Sequence, residues 1–158
     1  MIRKTIFVTY PRSGHHWLMR CLQDYYGEEM VYCEHYTCCQ TIPCAKQEAN
    51  ILKNHDFTLD LVIPEDWNVI VQYRNPQDAI SSLYKVSKEK DYIKFIYDNL
   101  YWYYEWMRKW NKKKYFLVDY ESRIANPIYT LNNVILNLSG ESDLEKVKMV
   151  SYINNQIH

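Results

Sequence analysis

Tyr10-Pro11-Arg12-Ser13-Gly14-His15-His16-Trp17 decides how the rest of the chain reads, because the apolar run Thr5-Ile6-Phe7-Val8-Thr9 precedes it and an apolar-periodic segment follows. The order is strand, tight turn, helix start. At such a bend the free backbone N–H groups and the positive dipole end of the helix converge, which favours an anion. Gly14 lets the backbone come close, and Arg12 adds a fixed charge whose planar fork suits phosphate or sulfate oxygens. The turn is not the phosphate loop of nucleoside triphosphatases. That pattern needs Gly-Lys-Ser/Thr, and here His15-His16 follow Gly14. ATP is therefore not the default ligand.

Working outward, Trp17, Leu18, Cys21, Leu22, Tyr25 and Tyr26 recur at helical spacing and predict a helix that ends near Gly27. Residues 28–48 read as irregular, with Pro43 as a breaker. Ile51-Leu52-Lys53-Asn54-His55 reads as a second strand with His55 at its end. The β-branched run Asn68-Val69-Ile70-Val71-Gln72-Tyr73 reads as another, stopping at Arg74-Asn75-Pro76, where Pro76 suits the first turn of a helix. That helix carries Ala79, Ile80, Leu83 and Val86 on one face. A longer helix over 91–111 is predicted to bury Ile93, Ile96, Leu100, Tyr104 and Met107, with Phe95, Trp102, Trp106 and Trp110 on a second apolar side. A strand over 114–120 follows, then a helix opened by Pro127. The last helix is predicted to bury Leu144, Val147, Val150 and Ile153, with 154–158 fraying.

Alternation of strands and helices implies an α/β fold with a parallel sheet covered by helices, and such sheets hold ligands at the carboxyl ends of their strands. Arg12, His55, Arg74 and Tyr120 all fall there.

The 158 residues suit one compact domain over 1–158. Lys+Arg and Asp+Glu are each 19, so the formal net charge is zero. No bulk field recruits nucleic acid or an anionic membrane, and any anion binding must be local. No segment is long and apolar enough for a signal-peptide core or a membrane span, so a cytoplasmic location is expected. Of five cysteines, Cys33, Cys38, Cys39 and Cys44 cluster beside His35. They lack paired Cys-x-x-Cys knuckles, and vicinal cysteines fit a tetrahedral cage poorly, so free, partly buried thiols are expected in preference to a metal site.

Four segments, in order, resemble the sulfotransferases that use 3′-phosphoadenylyl sulfate (PAPS). Tyr10 to Trp17 resembles their 5′-phosphosulfate loop, and Leu52-Lys53-Asn54-His55 the segment with their catalytic histidine. Arg74-Asn75-Pro76-Gln77-Asp78 with Ser82 resembles the 3′-phosphate motif, and Asp119-Tyr120-Glu121 with Asn126-Pro127 the later Tyr-Glu strand end. The resemblance implies a three-layer sandwich around a central parallel sheet, of the P-loop-like nucleotide-binding kind. It also implies transfer of a sulfuryl group from PAPS to a hydroxyl or amine of a small-molecule or carbohydrate acceptor, without a metal.

By the same resemblance Arg12 holds the oxygen bridging phosphate and sulfate, and backbone N–H groups of Ser13, Gly14, His15, His16 and Trp17 hold the 5′-phosphate. Arg74 and Ser82 hold the 3′-phosphate, while Trp17 and Tyr120 flank the adenine. Where many members have Thr-Thr, imidazole N–H donors of His15 and His16 substitute for hydroxyls. The chemistry suits these residue types. In-line sulfuryl transfer needs the departing charge stabilised, a role for Arg12, and neutral His55 can take the acceptor's proton near pH 7. Lys53, two residues earlier on a strand, shares the face of His55 and can assist Arg12. Two other readings stand beside this one: a non-catalytic binder of a 3′,5′-phosphorylated nucleotide, and a nucleotide-dependent kinase, against which the missing Gly-Lys-Ser/Thr argues.

Overall fold

The structure, a computed structural model, describes residues 1–156. Its elements run β1 (Thr5–Thr9), α1 (His15–Tyr26), β2 (Tyr32–Glu34), β3 (Ile51–Asn54), β4 (Asn68–Tyr73), α2 (Pro76–Tyr84), α3 (Tyr92–Trp110), β5 (Phe116–Asp119), α4 (Tyr120–Ala125), α5 (Pro127–Ser139) and α6 (Leu144–Asn155). Five strands form one parallel sheet in the order β2-β3-β1-β4-β5. Its central strand β1 is buried along its whole length, as a strand covered on both faces must be.

Successive residues of β1 feed two cores. Phe7 joins Ile51, Ile70 and Val118 beneath α1, α5 and α6. Ile6 and Val8 join Leu52, Val69 and Val71 beneath α2 and α3. The period-two alternation of strand side chains thus builds the three-layer sandwich. Because β3-β1-β4 are neighbours in register, the chain leaves the sheet after Thr9, Asn54 and Tyr73 along one edge. The turn after β1, His55 and Arg74 therefore meet.

Several sequence expectations are corrected. The edge strand β2 lies within the stretch read as irregular; with only three residues, it shows no periodicity. Tyr120 does not end a strand but begins α4, a helix the sequence reading did not separate from the strand before it; the Asp119 side chain caps it by accepting the Ser122 N–H.

On α3 the buried side is Tyr103, Trp106 and Trp110, whereas Ile93 and Tyr104 of the expected stripe are 64% and 61% exposed. With apolar residues on two sides, the larger indole surfaces decide which side docks. Val86 lies beyond α2 and is exposed, and α6 buries Val147, Val150, Ser151 and Asn154 in place of a stripe ending at Ile153. α6 runs to Asn155, so the expected fraying does not hold there; Ile157 and His158 lie outside the described residues.

Candidate active site

The turn between β1 and α1 is built from two residues in left-handed conformation, Arg12 at φ 66° and Gly14 at φ 80°, on either side of Ser13. Gly14 is required here for more than its φ. A Cβ at this position would meet the Tyr120 ring at 2.8 Å and Arg123 Nη2 at 2.9 Å. Ser13 closes the turn internally: its Oγ donates to Tyr10 O at 2.6 Å and its backbone N–H to the same carbonyl at 3.3 Å. Gln72 on β4 accounts for the other side, donating from Nε2 to Ser13 O at 2.9 Å. The N–H groups left to face an anion are those of the first turn of α1.

His15 and His16 part company. His15 is buried, with Nδ1 3.4 Å from Gln72 Oε1 and Nε2 3.1 Å from the Tyr32 hydroxyl. Burial, and next the charge of Lys53, push its pKa well below the usual imidazole value, so it is a neutral structural tie between turn, β4 and β2. His16 is exposed.

A cavity of about 790 Å³ opens at this edge, lined by Arg12, Gly14, His15, His16, Trp17, Lys53, His55, Arg74, Ser82 and Tyr120, together with Arg123 and Asn155. Of the residues singled out in the sequence, only Ser13 stays behind the wall. Arg12 Nε donates to Ser82 Oγ at 3.0 Å, joining the turn after β1 directly to α2. Arg74 lies over the Tyr120 ring at 4.2 Å and donates from Nη1 to Arg12 O at 3.4 Å. Its Nε is buried without a hydrogen-bond partner, and its approach to Glu121 is a distant 4.0 Å.

Arg123 is the residue that sequence reasoning missed. It is buried, and its guanidinium sits 4.9 Å from the Trp17 ring and 4.5 Å from the Tyr120 ring, between the two faces expected to flank an adenine. A mid-helix arginine gives no signal in sequence that would mark it. Trp17 is fixed from the other end by donating to Asn155 Oδ1 at 3.0 Å.

His55 sits at the end of β3. Thr9 O can only accept, so the 2.6 Å contact to His55 Nδ1 makes that nitrogen the N–H and leaves Nε2 with its lone pair. Burial and then the Lys53 charge push its pKa down to about 4. The ring is therefore neutral at pH 7. Its surroundings are aromatic: Tyr36 stacks at 6.0 Å and 13°, Phe57 lies at 5.0 Å, and Trp106 Nε1 donates to His55 O at 2.9 Å. Lys53, two residues back, is buried and paired with Glu34 Oε1 at 2.6 Å.

The bend after His55 is locked by Asp56, at φ 52°. Its carboxylate accepts from Lys109 Nζ at 2.7 Å, Trp110 Nε1 at 2.9 Å and Leu61 N at 2.8 Å.

Fold and cavity together define an α/β protein with a P-loop-like fold and a cationic site at the carboxyl edge of its parallel sheet. Among solved structures it is similar to mouse sulfotransferase SULT7A1 complexed with PAP, with a TM-score of 0.67 over 96% of this chain at 14% sequence identity. The chain spans 63% of the length of that protein. The shared property is the sulfotransferase fold. No protein-family model matches the sequence, and no curated protein matches it.

Proposed function

We propose that this protein is a sulfotransferase that moves the sulfuryl group of PAPS to a hydroxyl or amine of a small-molecule or carbohydrate acceptor. One observation carries the reading: a single cavity joins Arg12, Arg74 and Ser82 at a helix N-terminus to a neutral His55 whose Nε2 is left as an acceptor. The sulfotransferase fold, seen in a neighbour solved with PAP, supports it.

In this reading the donor supplies an activated sulfuryl group on its 5′-phosphate. The acceptor oxygen forms a bond to sulfur as the sulfur–oxygen bond to that phosphate breaks. His55 Nε2 takes the acceptor's proton, and its Nδ1–H, tied to Thr9 O, keeps the lone pair on the nitrogen that needs it. Arg12 Nη atoms, unlike its Nε, are free of Ser82 and stabilise the charge gathering on the leaving phosphate. Arg74, held over Tyr120, and Ser82 take the 3′-phosphate.

A thermal-shift comparison of 3′,5′-bisphosphoadenosine, ATP and AMP on the native protein and on Arg74→Ala tests the reading. Selective stabilisation by the bisphosphate is expected. Arg74→Ala removes about 2 kcal/mol of charge-assisted binding, roughly thirtyfold in affinity. Equal or better stabilisation by ATP would overturn the reading in favour of kinase chemistry. If the bisphosphate binds but PAPS is never turned over with any acceptor in a broad panel, and His55→Ala changes nothing, the protein is a non-catalytic nucleotide binder.

A further inference from the structure

The long stretch 35–50 between β2 and β3 contains no strand and no helix, and a loop of that kind inside a compact fold needs something to hold it. Backbone bonds fix its start, from His35 N to Lys53 O and from Thr37 N and Cys38 N to Glu34 O. Its end is anchored too, by Gln47 Nε2 donating to Tyr32 O and by Asn50, which bonds Val31 and Glu29, but the middle, residues 41–46, is bonded only within the loop, as where Ala45 N donates to Thr41 Oγ1.

Four sulfurs meet in the middle of it. Cys33 on β2 and Cys38, Cys39 and Cys44 in the loop bring their Sγ atoms within 4.8 Å of one another. Cys33–Cys39 and Cys38–Cys44 are each 3.8 Å apart and Cys39–Cys44 is 3.3 Å, so no pair is bonded as a disulfide. Sulfurs about 2.3 Å from a common tetrahedral centre lie about 3.8 Å from each other, a separation that Cys33–Cys39 and Cys38–Cys44 show and about which the other pairs scatter between 3.3 and 4.8 Å.

We propose that Cys33, Cys38, Cys39 and Cys44 form a structural zinc site, closed by four thiolates and separate from the nucleotide cavity. The objection from the sequence, that vicinal cysteines fit a tetrahedral cage poorly, holds for an extended chain. Residues 35–39 instead form consecutive turns, and Gln40 follows in left-handed conformation at φ 56°, so Cys38 and Cys39 turn to the same centre. A polynuclear iron–sulfur cluster spreads its thiolates over different metal ions, and this cluster is too tight for that. With all four positions filled by protein, the ion has no open site for catalysis.

The consequence for the molecule is local order. The knot flanks Glu34, the partner of Lys53, and Tyr36, which stacks on His55 and donates to Asn54 Oδ1 at 3.0 Å. Zinc would thereby fix one wall beside the His55 ring through folding energy that the loop's own few bonds do not supply.

Metal analysis of the purified full chain tests the site and does not depend on the sulfuryl-transfer reading. About one zinc per chain is expected, retained through dialysis and protecting four thiols from alkylation, since ligand set and folding are coupled. Cobalt substituted for zinc should give the intense visible absorption of a tetrahedral thiolate centre. Cys39→Ser and Cys44→Ser should each lose the metal, while Cys21→Ala, altering the cysteine buried beneath the other face of the sheet, should keep it. Should the serine variants fail to fold, the cobalt spectrum of the native chain decides. Failure to take up zinc or cobalt with all thiols reduced, disulfides among these cysteines in place of metal, or zinc retained undiminished in both serine variants would overturn the proposal.

Discussion

Acidification destabilises this protein through His55. In the folded chain the imidazole is held neutral, its pKa down to about 4 through burial and then the Lys53 charge, against an ordinary value of 6.5 in the unfolded chain. Below 6.5 the unfolded chain takes up a proton that the folded chain refuses. The contribution is therefore complete above pH 6.5 and is lost progressively as pH falls toward 4. Linkage between these two values gives a loss of about 2 kcal/mol from His55 by about pH 5, a large part of a typical domain's stability. His15, also depressed by burial and by Lys53, acts in the same direction. The assay is urea unfolding between about pH 7.5 and about pH 5, on the native chain and on His55→Gln. The native midpoint should fall with pH and the variant's should fall less, by the His55 share. Parallel slopes in the two proteins, or stability that rises toward acid, would refute the reasoning. In the proposed reaction, a base that stays neutral well below 6.5 puts the acid limb of the rate profile below the ordinary histidine range.

Gly14→Ala should lower the melting temperature and weaken bisphosphate binding. It incurs the left-handed penalty of about 1–2 kcal/mol and also pushes Tyr120 and Arg123 out of place. Gly140→Ala, also left-handed at φ 83° and with only Arg3 Nη2, at 3.9 Å, near its Cβ, incurs the first cost alone and should leave binding intact; comparable binding losses in both variants would refute the close-approach argument. Asp56→Ala leaves the buried Trp110 N–H without its acceptor and takes the counter-charge from Lys109, which keeps Leu59 O and Leu61 O, so urea unfolding should show a loss of about 2–3 kcal/mol; a loss under about 1 kcal/mol would show that the carboxylate does not lock the bend after His55.

The sheet was legible because parallel strands buried on both faces read as short continuous apolar runs, as in β1 and β4. Arg12, His55 and Arg74 could be brought to one edge from strand ends, and Lys53 from sharing a strand face with His55, whereas Ser82, on a helix, came only with the family resemblance. The illegible parts have particular causes. β2 is too short to show a period, and α4 follows β5 without a break, so a single run of residues concealed two elements. The need for glycine at position 14 is set by Tyr120 and Arg123, remote in sequence, and cannot be read from the turn itself. Convergence of the four cysteines depends on the backbone turning through 35–40, which spacing does not report.

The chain has no net charge, so the cavity's affinity for an anion has to arise from how its cations are partnered. Lys53 is paired tightly with Glu34, and the pair is close to neutral from outside. Arg74 and Arg123 are held by aromatic faces instead: Arg74 over Tyr120, Arg123 between Trp17 and Tyr120. A ring positions a guanidinium without cancelling its charge, and the buried Nε atoms of both arginines have no hydrogen-bond partner. Charge and donor capacity are thus kept available at Arg12, Arg74 and Arg123 and spent internally at Lys53. In the proposed reaction the arginines therefore carry the phosphates, and Lys53 acts chiefly on His55, whose proton it repels.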